Sequence, residues 1–466
     1  MISPDKLNIL NNRGQSSLQL IVPLLIVLSF LIIFAMFLPF LSTLKTIALA
    51  VGFIIFILSF ISTEFALYIL VLSMLLSPEF IVGTTSGPAL ERGVTLRLDD
   101  FILLIISFSW IAKMSINKEL GLFLRTPLNK PIAYYIIICL VSTLLGFLFG
   151  RVTLKVGFFF VLKYFEYFIV YFMVVNQLRD KQQVKNFLWA MLVTCSIVSL
   201  IGISQIPMGG RVTAPFEGAS GEPNTFGGYL VLMISVAIGL LLTSPSVRGR
   251  IFFALLILLF IIPLIYTQSR TSYLALIPAL LTFIFLSEKR NLIIIFFLII
   301  AIALPFLLPD IAKKRILYTF TQGKGRANVV EFGGVKLDTS TSARITSWKA
   351  ALKAWVRHPF IGYGVTGYRF VDAQYIRVLV ETGFLGLMTF MFMISAMLAR
   401  VKRIFQDSTD PFASGLSLGF LAGIIGLLFH GIGANTFIIV RIMEPFWFIA
   451  AMVLMIPELK EVGEDR

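Results

Sequence analysis

The sequence has little charge, almost no cysteine and almost no histidine. Charged residues make up 14% of its 466 positions, hydrophobic residues 58%, and mean hydropathy is +0.94. That balance excludes an ordinary soluble domain, which carries about a quarter charged residues. The two cysteines, Cys139 and Cys195, each sit inside an apolar run. They suit neither a disulfide framework nor a thiolate metal cluster. The two histidines, His358 and His430, exclude a histidine-rich metal site. Low-complexity tracts and clear internal repeats are also missing. The N-terminal MISPDKLNILNNRGQSS is polar and lacks a signal-peptide cleavage pattern.

What fills the chain instead is a series of apolar runs of roughly 17–25 residues, the length a bilayer-spanning helix requires. In lipid the backbone must bond to itself, so helices are the expected solution. The expected fold is an all-α polytopic membrane protein with about 12–14 transmembrane helices and a single integral membrane domain, 1–466. The spans read as 18–40, 44–61, 65–80, 99–114, 131–149, 157–176, 187–206, 226–243, 250–266, 271–287, 291–308, 376–398, 411–430 and 436–456.

The net charge is +15. In a soluble chain this would suggest nucleic acid. Here Lys and Arg lie mostly between apolar runs, where the positive-inside bias and anionic lipid headgroups account for them. Membrane lipids are the expected partners of these charges, and nucleic acid is not. Basic RDKQQVK (179–185), VRGR (247–250), SEKR (287–290) and RVKR (400–403) are placed in the cytoplasm. Alternation then puts 209–226, 266–272 and the large 309–375 loop outside, with both termini inside.

The 309–375 loop is long enough to expect function of it. Within it, STSARITSWKAALKAWVRHP predicts an amphipathic helix near 342–357, with Trp348, Leu352 and Trp355 on one face. Ser340, Thr341 or Ser342 is expected to cap its start, and Pro359 marks its end. Arg344 lies one turn before Trp348 and shares the apolar face. It needs a partner there, or else it snorkels to a lipid phosphate. The following FIGYGVTGYRF holds Gly362 and Gly364. Such glycines permit a tight turn and also allow close approach of backbone to an anion.

Arg211, Arg270 and Arg344 fall on three separate outward segments. Arg270 is the sharpest, because TQSRTS is a turn-sized break on the side where positive charge is disfavoured. Converging arginines suit a diphosphate, since each offers a planar fork of donors. The alternative is interfacial pairing with a carboxylate or a lipid headgroup. In GEPNTFGGYL, Pro223-Asn224 reads first as a turn, with the Asn224 amide available to a sugar. In DAQYIRVLVETGFLG, Asp372, Arg377 and Glu381 cluster where a polar loop meets an apolar segment. Asp372 reads either as a helix cap or as a general base. Glu381 reads as an internal ion-pair partner.

Over roughly 205–400 the sequence resembles the O-antigen ligase and polymerase superfamily of bacterial membrane glycosyltransferases. GEPNTFGGYL resembles the family's Pro-Asn helix entrance, and TQSRTSYLAL its Thr-x-Ser-Arg segment. ARITSWKAALKAWVRHPFIGYG resembles its Arg-x-x-x-Trp helix followed by Pro-x-x-Gly-x-Gly. DAQYIRVLVETGFLG resembles His-Asn-x-Tyr-Leu followed by Glu-x-Gly-x-x-Gly, which places Tyr375 at the motif tyrosine. The resemblance implies an undecaprenyl-diphosphate-linked saccharide donor and a glycan or lipid-linked acceptor hydroxyl. It implies Arg270 and Arg344 as donor-diphosphate ligands, with Arg211 assisting. Asp372 stands where the family has its histidine base, and Ala373 stands at the following asparagine. The implied site faces outward from the bacterial inner membrane and uses no cofactor and no metal. Asn224, Tyr375, Glu381, Gly362 and Gly364 support it. The absent motif histidine favours a polymerase, or another role in polysaccharide assembly, over the lipopolysaccharide ligase. Polysaccharide-assembly proteins are implied partners. An anion transporter and a non-catalytic scaffold are the competing readings.

Overall fold

The computed structural model describes residues 43–84, 93–116, 126–217, 221–287, 289–291, 293–295, 313, 331–332, 335–336 and 338–459. The expected span 18–40 and most of 291–308 lie outside them. The helices are α1 (Thr43–Ile61), α2 (Thr63–Leu76), α3 (Leu98–Ile116), α4 (Asn129–Leu148), α5 (Leu154–Gln177) and α6 (Lys181–Gln205). They continue as α7 (Pro223–Thr243), α8 (Val247–Tyr266), α9 (Arg270–Leu286), α10 (Thr339–Trp355), α11 (Gln374–Asp407), α12 (Pro411–Gly433) and α13 (Val440–Met455). Two small antiparallel hairpins interrupt them: β1 (Glu79–Thr84) with β2 (Gly93–Arg97), and β3 (Glu331–Phe332) with β4 (Val335–Lys336). Among the described residues, eight helices are long and apolar enough to cross a membrane, namely α4 to α8 and α11 to α13. The chain is an all-α polytopic membrane protein.

The chain divides into two compact units. The smaller comprises residues 1–66 and 104–123. There the Ser109 hydroxyl donates to the Phe56 carbonyl at 3.4 Å, tying α3 to α1. The larger comprises 67–103 and 124–466 and contains every candidate site residue.

The centre of the larger unit is built on close backbone approach. In α12, Gly415, Gly419 and Gly423 recur every fourth residue and therefore share one face. A Cβ at Gly419 would lie 2.7 Å from Cα of Val236, and one at Gly239 would lie 2.3 Å from the Gly415 carbonyl oxygen. Membrane helices gain no hydrophobic drive from leaving lipid, so small residues and van der Waals contact hold such pairs. As a result α7 and α12 are largely buried, and α13 is buried almost throughout. The start of α7 and the end of α12 supply contacts to the site, through Asn224 and the Leu428 carbonyl.

A break in α11 shapes the end of the bundle that carries the candidate residues. Gly383 has φ 71° and ψ −170°, so the helix kinks there. The kink takes the Val380 and Glu381 carbonyls out of the helical ladder. Donors from the FIGYG turn replace it, with the Tyr363 N–H on Val380 O at 3.0 Å and the Gly364 N–H on Glu381 O at 2.8 Å. In return the Phe384 N–H reaches Pro359 O at 2.8 Å. Gly362 (φ +75°) is needed because a Cβ there would lie 2.6 Å from the Glu381 carbonyl group. The Pro-x-x-Gly-x-Gly stretch and the Glu-x-Gly-x-x-Gly stretch are thus two halves of one interlock.

Gly383→Ala is expected to break this interlock. Its backbone region is essentially confined to glycine, and an added Cβ would sit 2.3 Å from the Phe360 carbonyl. Strain and overpacking together cost on the order of 2–5 kcal/mol. Thermal unfolding of the purified variant in detergent, followed by size-exclusion, should show a large loss of folded monodisperse protein.

Candidate active site

The TQSRTS turn joins α8 to α9. Ser269 caps α9 by accepting from the Ser272 N–H at 3.2 Å, which makes Arg270 the first helical residue. Gln268 before it has φ +50°, a strained value for a residue with a side chain. The Thr267 and Gln268 carbonyls accept from Arg211 at 3.0 and 3.3 Å. Arg211 therefore lies on the same turn as Arg270, bound to its backbone. Asn224, at the start of α7, accepts from the Ser269 hydroxyl at 2.7 Å. In this structure its amide oxygen fixes the cap next to Arg270.

Arg270 forms an ion pair with Asp338 at 2.9 Å. The Asp338 side chain is 1% exposed and also accepts from the Thr341 N–H at 3.3 Å. Asp338 is therefore the N-cap of α10, in place of the expected Ser340, Thr341 or Ser342. The physical reason is that an ionised carboxylate caps as well as a hydroxyl and here also neutralises an arginine. Burial works to raise its pKa, but hydrogen bonds from Arg270 and Thr341 outweigh burial and hold it below the ordinary carboxylate value. The helix it starts runs Thr339–Trp355, and Trp348 packs on the cluster of Ala351, Val371 and Ala373.

Arg344 lies six residues beyond Asp338, about 9 Å along the helix axis at 1.5 Å per residue. Its Nε and Nη2 both donate to Oδ2 of Asp372, at 3.1 and 2.8 Å. The pair is partly open, with Arg344 25% and Asp372 29% exposed. Asp372 does not cap the helix that follows. That helix starts at Gln374 with Ala373 at the N-cap position and no side-chain bond. Of the two readings of Asp372, the structure therefore removes the cap. One aspartate links the two arginines: Asp338 holds Arg270 directly and starts the helix that presents Arg344.

The remaining candidates anchor this arrangement. The Tyr375 hydroxyl donates to the Leu428 carbonyl, fastening the start of α11 to α12. Glu381 accepts from Arg377 Nε at 3.1 Å and from the Thr366 N–H at 3.3 Å, and both charged side chains are buried. Gly362 and Gly364 shape the interlock described above, and their N–H groups are spent on the His358 and Glu381 carbonyls.

Two features escaped the sequence. The first is a hydrogen-bonded chain behind Arg270. Ser272 donates to Ser269 at 2.7 Å and contacts His430 Nε2 at 3.1 Å, while His430 Nδ1 contacts the Thr436 hydroxyl at 2.7 Å. His430 is fully buried, so it supports the TQSRTS turn from within and cannot meet a substrate. The second is a charge network beside the 209–217 loop. Arg441 donates to the Pro215 and Ser77 carbonyls at 2.9 and 3.1 Å and faces Glu79 and Glu217 at 3.5 and 3.8 Å. It ties the loop that carries Arg211 to α13. Burial pushes the Glu217 carboxyl up to about 7, against the opposing pull of Arg441. Deeper in, Arg97 pairs with Asp99 at 2.8 Å, and Lys163 pairs with Asp100 and Glu166. Glu444 is fully buried there, and among the described residues neither of its carboxylate oxygens has a hydrogen-bond partner. The signal for this network was present, since Arg441 and Glu444 are charges inside an apolar span.

Chemically, the site offers two arginine forks, each held by an aspartate, on separate segments. Such forks match phosphate or carboxylate oxygens, and the aspartates keep them aimed and neutralised. Among the described residues, no group of three or more His, Cys, Asp or Glu side chains is arranged to hold a metal ion. No curated protein matches the chain. Residues 255–391, which include Arg270, Arg344, Asp372, Tyr375 and Glu381, match the family model described as O-antigen ligase, and this match over part of the chain supports membership of that general family.

Proposed function

We propose that this protein transfers a glycan from an undecaprenyl-diphosphate carrier to an acceptor hydroxyl, on the outward face of the bacterial cytoplasmic membrane. The observation that carries this reading is the pairing of Arg270 and Arg344 with Asp338 and Asp372, inside the family-matched stretch. Of the 309–375 stretch, α10 and the residues that follow it belong to the site. Membrane lipids and the lipid-linked donor are the partners, and the acceptor is a second glycan or lipid-linked glycan.

In this mechanism the incoming diphosphate replaces aspartate at the arginine forks. Arg344 is the accessible fork, so its exchange frees the Asp372 carboxylate as the acceptor arrives. The acceptor oxygen forms a bond to C1 of the donor sugar as the C1–O bond to the diphosphate breaks, inverting that centre. The hydroxyl proton passes to Asp372. Undecaprenyl diphosphate leaves with its developing charge held by Arg270 and Arg344. Arg211 and Asn224 act one step back, holding the turn that carries Arg270.

The test is reconstitution. Purified full chain in liposomes is given a synthetic polyprenyl-diphosphate oligosaccharide and an acceptor glycan. Appearance of a longer glycan with stoichiometric release of polyprenyl diphosphate is the expected outcome. Folded protein that binds the donor yet never releases the diphosphate, with every acceptor tried, would overturn the enzymatic reading in favour of a scaffold.

A further inference from the structure

Four spans end together at the face opposite the candidate active site. They are the start of α6 at Lys181, the last turns of α11 from Arg400 to Asp407, the start of α12 at Asp410, and the 3-10 turn Ile456–Glu458 that follows α13. Between them is a cavity of about 260 Å³. Lys181, Arg400 and Arg403 supply its basic side, and Ile404, Ile456 and Leu459 its apolar side. Asp407 and Asp410 also line it, so its formal charge is only slightly positive. The Asp410 carboxylate is already committed, accepting from the Phe412 and Ala413 N–H groups at 3.2 and 3.3 Å. Arg400 Nε, by contrast, is buried and has no hydrogen-bond partner among the described residues.

We propose that this cavity binds the phosphate of an anionic lipid headgroup from the cytoplasmic leaflet. Three basic side chains against two carboxylates, one of them committed as a helix cap, call for an anion with several acceptor oxygens, and phosphate has them. A volume of about 260 Å³ accommodates a headgroup phosphate. The apolar wall at the level of the helix ends suits the glycerol and first methylenes of a lipid, where a free phosphate would gain nothing. Basic pockets between spans on the cytoplasmic side are known to hold acidic headgroups. Bound there, the lipid joins α6, α11, α12 and the end of α13, three of which also reach the outward site. No part of this rests on the transfer reaction.

The experiment is native mass spectrometry of the delipidated full chain, titrated with short-chain phosphatidylglycerol, phosphatidylcholine or inorganic phosphate. One phosphatidylglycerol per chain should bind well ahead of phosphatidylcholine. Arg400→Gln and Arg403→Gln should each weaken it roughly fivefold, and the double variant more, following about 1 kcal/mol per basic residue. Arg403 is exposed, so its replacement leaves folding intact, and unchanged thermal unfolding checks this. Competition by millimolar phosphate alongside tight phosphatidylglycerol binding supports the phosphate as the recognised group. Phosphate binding with no preference for phosphatidylglycerol overturns the lipid source. Equal binding of the two lipids, or undiminished binding by both variants, overturns the site.

Discussion

Arg344→Lys is expected to lower glycan transfer by about 10²–10³-fold, the scale for losing one preorganised donor to a developing oxyanion. Lysine keeps the charge and loses the planar fork. Arg344 uses both Nε and Nη2 on a single oxygen of Asp372, and one ammonium cannot reproduce both directions. The stability cost should be small, because the pair is a quarter or more exposed on both sides, and exposed ion pairs contribute about 0–1 kcal/mol. Activity and stability should therefore separate: turnover falls steeply while the unfolding temperature hardly moves. Arg270→Lys should also lose transfer but is the less clean variant. Asp338 is 1% exposed and caps α10, so disturbing its partner also loosens the helix that carries Arg344. The measurement is diphosphate release by each purified variant in liposomes, beside its thermal unfolding. Near-normal turnover in both variants would refute a diphosphate clamp and leave the arginines as interfacial anchors.

Much of this was legible because it is local. Apolar runs announce spans by length alone, and an arginine in a turn-sized break between two apolar runs stands out because no longer basic loop accounts for it. Arg377 and Glu381 stand four apart, the spacing at which helix side chains meet, and they do meet. The rest was hidden because it is assembled across long separations. Ser272 meets His430 across 158 residues, and Arg441 meets the Ser77 carbonyl across 364. No periodicity in one sequence encodes such pairs. Asp338 was overlooked for a different reason. Four hydroxyl residues, Thr339 to Ser342, follow it directly, and each fits the cap position by chemistry, so only the backbone could select the aspartate. The Gly415, Gly419 and Gly423 stripe, in contrast, was there to be read, as small residues every fourth position mark a helix–helix seam.

The structure changes what Asp372 is expected to do when mutated. With Ala373 at the N-cap position and no side-chain bond there, Asp372→Ala should not carry the roughly 0.5–2 kcal/mol loss of a removed cap. Its roles reduce to two, general base or resting partner of Arg344, and Asp372→Asn separates them. Asparagine keeps the shape but takes no proton. As the base, Asp372 gives a variant whose turnover falls by about 10²–10⁴-fold while donor affinity holds or improves, since the carboxylate no longer competes with diphosphate for Arg344. As a mere resting partner, Asp372 gives an asparagine variant with turnover intact and only the donor affinity improved. Asp372→His is the informative third form, because it restores the residue that the resembled family carries at this position. A histidine that recovers most of the turnover lost in Asp372→Asn would show that the position needs a proton acceptor of either chemistry. Donor affinity and single-turnover rate, measured for all three variants against wild type, decide between the roles. Full turnover in Asp372→Asn would rule out the base, and the acceptor proton would then have to leave by another group.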